Sequence, residues 1–173
     1  MKVEEIQARV RQNLYVYTGH GDIERQADGL TFTQVEEALL NGEILEQYPN
    51  TARGESCLIL GYAGDIPIHI VCGWRGERVA IITVYITRSP NLLTLELEDR
   101  PMREIRCTTC GSNRYEERII NCHYGHQGKY LLVPNTPVEI CLECGMIYYD
   151  AAVIKEIERR FFAIHEQNEM PDS

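Results

Sequence analysis

A chain of 173 residues with 44% hydrophobic side chains can bury one sizeable core or two small ones. Its formal net charge is −9, with cysteines counted as neutral, and four thiolates holding one divalent cation would take it to about −11. Both halves are acidic, so no global basic field is offered to phosphates, and no apolar run reaches the roughly 18 residues needed to span a membrane. The start, Met1-Lys2-Val3-Glu4-Glu5, lacks an apolar signal region, so a cytoplasmic location is expected. In that compartment the seven cysteines stay reduced, which favours metal binding over disulfides.

In chain order, Val3, Ile6, Val10 and Leu14 share one face of a helix predicted over residues 3–14. Tyr15-Val16-Tyr17 leads to Thr18, the expected N-cap of a second helix that carries His20, Glu24 and Asp28 and stops at Gly29. Thr33 and Glu36 fit a capping box for a third helix, about 34–41, ending at Gly42. Strands are then predicted at 44–48, 57–63, 66–72 and 78–86. A two-residue turn at Gly64-Asp65 would place Ile59 opposite Ile70 and Cys57 opposite Cys72, both cysteines being read as small core residues. In the last strand, Ala80, Ile82, Val84 and Ile86 form the expected apolar face, and Val79, Ile81, Thr83 and Tyr85 a mixed one.

Residues 89–104 read as a connector whose Leu92, Leu93, Leu95 and Leu97 are too apolar for a free linker. Beyond it, Cys107-Thr108-Thr109-Cys110-Gly111 and Cys141-Leu142-Glu143-Cys144-Gly145 are two Cys-x-x-Cys-Gly turns. Each aims two sulfurs at one point, and the glycine permits the tight backbone behind them. Together Cys107, Cys110, Cys141 and Cys144 make a closed four-sulfur cage, read as one structural zinc ion with no open position for chemistry. Cys122, His123 and His126 are read as solvated residues of the intervening hairpin loop. That hairpin is predicted from 115–121 and 128–133, with Pro134-Asn135-Thr136-Pro137 leading to the second turn. A last helix opens after Asp150, with Val153, Ile154, Ile157, Phe161 and Ile164 as its apolar stripe, and 167–173 read as a flexible tail.

The expected fold class is therefore α+β. A domain at 1–88, of short helices and a four-stranded antiparallel meander, precedes a small zinc-ribbon-like domain at 105–166 with a C-terminal helix. In the first domain His20, His69, Thr83 and Tyr85 are the candidates for chemistry, with Arg25 and Arg53 as nearby cations. A histidine and a tyrosine can serve as base and acid in a metal-free ribonuclease. The competing reading makes His20 a helix-packing residue and His69 a satisfied core histidine.

Two resemblances bear on function. Residues 105–160, through the two cysteine turns, Val133-Pro134 and Tyr149-Asp150, resemble the YgiT/MqsA-type zinc domain of bacterial antitoxins. That resemblance implies structural zinc and a surface that binds and masks a partner ribonuclease toxin. The chain stops at Ser173 without a following helix-turn-helix, so DNA is not an expected partner.

Residues 1–88 look like a small bacterial domain related to the RelE/MqsR-type toxin fold. The motifs are Tyr17-Thr18-Gly19-His20, Val35-Glu36-Glu37-Ala38-Leu39, Pro67-Ile68-His69-Ile70-Val71 and Ile81-Ile82-Thr83-Val84-Tyr85. The family helix after the histidine carries two arginines where this chain has Glu24 and Asp28, and anions there repel RNA. The resemblance thus implies a toxin–antitoxin-like fusion acting through protein–protein contact, on a toxin or antitoxin partner, its own upstream domain or a second copy. Its ribonuclease is expected to be weakened or dead, with RNA a partner only if it is active. The alternatives are a ribonuclease autoinhibited by its zinc domain and a zinc-stabilised scaffold for another protein.

Overall fold

The computed structural model describes residues 1–51, 53–87 and 105–166. The predicted connector and tail lie outside the described residues. Helix α1 (Val3–Arg11) buries Ile6 and Val10 and ends earlier than predicted, because Asn13 turns the chain at φ 56° and leaves Leu14 exposed. Strand β1 (Tyr15–Thr18) follows, where the sequence reading saw only a lead-in. All four of its residues are buried, so it shows no alternation, and four residues are too few to display a period.

Helix α2 (Gly19–Ala27) is capped as predicted: the Thr18 hydroxyl oxygen accepts from the Gly21 amide at 3.0 Å. Helix α3 (Phe32–Asn41) starts two residues before the predicted position. Its capping box is Thr31 with Gln34, not Thr33 with Glu36. Starting earlier buries Phe32, and the Thr33 hydroxyl is engaged elsewhere, donating to Glu158 at 2.8 Å.

Strands β2 (Glu43–Thr51), β3 (Gly54–Ala63), β4 (Ile66–Arg75) and β5 (Arg78–Ile86) pair antiparallel in succession. Gly64 turns at φ 56°, and Ile59 faces Ile70 and Cys57 faces Cys72 as the turn requires. Both cysteines are free and buried. The faces predicted for β5 are wrong over half the strand. The pairing steps from Val71 opposite Thr83 to Cys72 opposite Ile81, so Ile82 is an extra residue that reverses the alternation. Val79, Ile81 and Val84 consequently all join the main core, while Ala80 turns to the other side.

The C-terminal third adds β6 (Tyr115–His126), β7 (Lys129–Cys141), β8 (Ile147–Asp150) and α4 (Ala151–Glu166). The hairpin is longer than predicted. It turns at Gln127-Gly128, both at positive φ, and Pro134–Pro137 lies within β7 rather than after it. Cys122 is thus a buried strand residue and not a solvated loop one. Asp150 precedes α4 as predicted, its carboxylate accepting from the Ala152 amide at 3.0 Å.

The eight strands among the described residues form one mixed sheet, in the order β2-β3-β4-β5-β1-β8-β7-β6. Strand β1 sits at the junction, parallel to β5 and antiparallel to β8. The sheet therefore crosses the boundary expected between residues 88 and 105. Side chains from α1, α3 and α4 share one core with Tyr15, Tyr17, Ile59, Ile70, Ile81 and Tyr124 of the sheet. Val16, which the pleat aims away from its neighbours Tyr15 and Tyr17, belongs to a smaller cluster with Ala80, Cys107, Cys141 and Tyr148. No helix among the described residues is long and apolar enough to cross a membrane.

Candidate metal centre and its surroundings

Two similar turns hold the four cysteines. The Gly111 amide donates to the Cys107 carbonyl at 2.8 Å, and the Gly145 amide to the Cys141 carbonyl at 2.9 Å. The Cys107 amide donates to Ser112 at 2.7 Å, and the Cys141 amide to Met146 at 2.9 Å. Gly111 and Gly145 sit at φ 76° and 74°, a region where a side chain would be strained, which is why each motif ends in glycine. The four sulfurs lie within 4.8 Å of one another, with Cys107 and Cys144 at 3.5 Å and Cys110 and Cys141 at 3.6 Å. A tetrahedron with metal–sulfur bonds of about 2.3 Å has edges of about 3.8 Å, so the cluster could hold a metal ion. Each turn contributes one buried sulfur, Cys107 or Cys141, and one exposed sulfur, Cys110 or Cys144. Cys122, His123 and His126 take no part in the cluster.

Burial works against ionising Cys107. The Tyr148 hydroxyl, the backbone amides of Cys110 and Thr109 and the Cys144 thiol outweigh it and bring the thiol down to about 6. Cys144, in the same cluster, is pushed the other way, up to about 12 and chiefly by burial, so a metal binding here would displace a proton from it. Outside the cluster, desolvation likewise pushes the Cys57 thiol up to about 12, and it behaves as an apolar core residue.

The cysteine turns pack against the first half through Arg75, which is 1% exposed. Its guanidinium lies 4.1 Å from the Tyr115 ring centroid and 4.4 Å from that of Tyr148, and pairs with Glu139. Arg78 also reaches Glu139, at 2.7 Å, and Asp150, at 3.4 Å. Desolvation would raise the Glu139 carboxyl, but these two arginines hold it below its ordinary value. On the other face Glu158 of α4, 4% exposed, accepts from the Phe32 amide at 2.6 Å, the Thr33 amide at 3.0 Å and the Tyr124 hydroxyl at 2.7 Å. A carboxylate from the last helix thus satisfies the orphan amides at the start of α3.

Sequence reasoning passed over Arg75, Tyr148 and Glu158. Glu158 had a signal: it stands between Ile154 and Phe161 in the apolar stripe of α4, where a carboxylate must find donors. The other two had none: the partners of Arg75 lie in the opposite half of the chain, and those of Tyr148, Cys107 and Thr108, lie some forty residues before it.

The candidates for catalysis are only partly brought together. His69 and Tyr85 face each other on β4 and β5, with Nδ1 of the ring 3.1 Å from the tyrosine oxygen. His69 is 8% exposed, its buried Nε2 has no hydrogen-bond partner among the described residues, and burial lowers its pKa despite the opposing charge of Glu46. Tyr85 is raised, first by burial and then by Glu46 and Glu24. Thr83 lies half-buried two residues from Tyr85 on β5. His20 is exposed and pairs with Glu24 of its own helix at 3.1 Å instead of joining His69. Arg25 is not a cation at this site: it is fully buried, pairs with Asp22 at 2.8 Å and stacks over Phe32 at 4.0 Å. Arg53 is exposed, beside a hollow of about 370 Å³ lined by Ser56, Val71, Trp74 and Thr108.

Residues 17–86 match the model of a protein family described as a domain of unknown function, DUF4258. The match runs from β1 to the end of β5 and takes in His20, His69 and Tyr85, but not the four cysteines. No curated protein matches the chain, and no solved structure does.

Proposed function

We propose that the protein is a zinc-stabilised toxin–antitoxin-like fusion that works through protein–protein contact. One structural zinc ion is held by Cys107, Cys110, Cys141 and Cys144. Four thiolates in a closed cluster suit zinc and leave no position for a substrate. The observation that carries the reading is the placement of β1 between β5 and β8. The cysteine-bearing part is continuous with the DUF4258-matching part, and releasing it would expose β1 and Arg75. It therefore acts as a permanent part of one body, which counts against a detachable autoinhibitor.

The charge pattern supports a ribonuclease that is weakened or dead. Glu24 and Glu46 bear on Tyr85, and the one arginine of α2 is locked in the core. An anionic surrounding repels a phosphodiester and offers nothing to the charge of its transition state. A second reading, an active metal-independent ribonuclease, has one observation in its favour. The His69–Tyr85 pair joins a histidine of lowered pKa to a tyrosine hydroxyl, as a base and an acid would be joined.

Expression of the whole chain in bacteria separates the two. We expect no growth arrest and no cleavage of total RNA by purified protein; arrest abolished by His69→Ala would establish the second reading. Metal analysis should find one zinc per chain, with Cys107→Ser losing it. A purified chain carrying well under one zinc would end the zinc reading.

A further inference from the structure

We propose that Tyr148 is the positioning residue of the metal centre, its hydroxyl proton committed to the Cys107 sulfur. This rests on the four-sulfur reading above and adds to it the residue that sets the charge on one ligand. Tyr148 is buried, and its oxygen lies 2.9 Å from the Thr108 amide, 3.0 Å from the Thr108 hydroxyl and 3.3 Å from Cys107 Sγ. A phenol has one proton to give and two lone pairs to fill. The Thr108 amide can only donate, so it takes one lone pair. The Thr108 hydroxyl can take the other. The sulfur of a bound thiolate can only accept, so the proton goes there. Thr108 thus acts as a fork that aims the hydroxyl at its neighbour in the chain.

The ring is held as firmly as the hydroxyl. It sits edge-on to Tyr115, with centroids 6.2 Å apart, and Arg75 lies against both rings. Its backbone is fixed by pairing with Thr18 of β1 and Glu139 of β7. A hydrogen bond to a thiolate ligand draws charge from the sulfur and stabilises the ionised form that the metal needs. The same groups tie the cage to the middle of the sheet, since Thr18 also caps α2.

The test uses the full-length protein with Zn2+ and Co2+ as probes. In Tyr148→Phe, Zn2+ affinity measured by competition with a chromophoric chelator should fall about 10- to 100-fold. The sulfur-to-cobalt charge-transfer band of the Co2+ form should move to longer wavelength, because the sulfur regains charge. Tyr115→Phe is the control: its hydroxyl donates to the Ser112 carbonyl at 3.0 Å, so its band should stay in place. Thr108→Val, which loses half of the fork, should move the band in the same direction by less. It serves as the test if Tyr148→Phe does not fold. An unmoved band with affinity within twofold of wild type, in whichever of the two variants folds, overturns the proposal and leaves the four-sulfur reading standing. A wild-type chain that takes up no Co2+ overturns both.

Discussion

Single side chains do much of the joining in this protein. Glu158 gathers donors from the start of α3 and from Tyr124, which are far apart in sequence. Removing a buried acceptor strands its donors, so the cost is that of unmade hydrogen bonds as well as lost ones. Glu158→Ala should lower stability by about 3 kcal/mol, read from urea unfolding. Glu158→Gln should recover part of this, because the amide keeps one accepting oxygen where the carboxylate has two. Arg75 has the same character. Its charge is buried between two tyrosines and a carboxylate that a reader of residues 1–88 alone would never meet.

At the scale of elements, the packing of α3 on β3 depends on absent side chains. A Cβ built on Gly61 would lie 1.8 Å from the Ala38 carbonyl oxygen and 2.5 Å from its carbon. The contact is with backbone, which cannot swing aside as a flexible side chain could. Gly61→Ala should therefore lift α3 from the sheet and cost about 3 kcal/mol, measured by thermal unfolding. Gly64→Ala makes an instructive comparison: nothing lies within 4 Å of its Cβ, so any loss there comes from the positive φ alone.

The elements also mark how far the sequence could be read. Helix caps and turn residues announce themselves locally, which is why Thr18, Gly29 and the Gly64 turn fall where expected. The Thr31 cap was missed because Thr33 offers an equally good local signal, and only the burial of Phe32 decides between them. The faces of β5 were missed because a bulge changes the period without any characteristic residue at Ile82.

For the molecule as a whole, one sheet spanning both halves predicts cooperative behaviour. The metal-loaded protein should unfold in a single transition, seen together by circular dichroism and by the fluorescence of Trp74. Trp74 lines the hollow that also touches Thr108, so it reports on both parts. Stripping the metal with a chelator should lower the melting temperature. It should also expose amides of residues 107–110 and 141–150 to hydrogen exchange before those of β3 and β4. Equal protection with and without metal in those two segments would show that the cage does not support the sheet.

The sequence by itself determined the four-cysteine cluster, because two Cys-x-x-Cys-Gly turns carry their own geometry within five residues each. It determined the β3–β4 register for the same reason, since a two-residue turn dictates every pair above it. Only the tertiary structure decided what those local pieces belong to. Strand β1 is too short and too evenly buried to show a pattern, yet its pairing with β5 and β8 makes one sheet of two halves. Arg75 and Glu158 acquire their roles from partners in the other half of the chain, and Tyr148 from the first cysteine turn some forty residues before it, and no periodicity records a partner that distant.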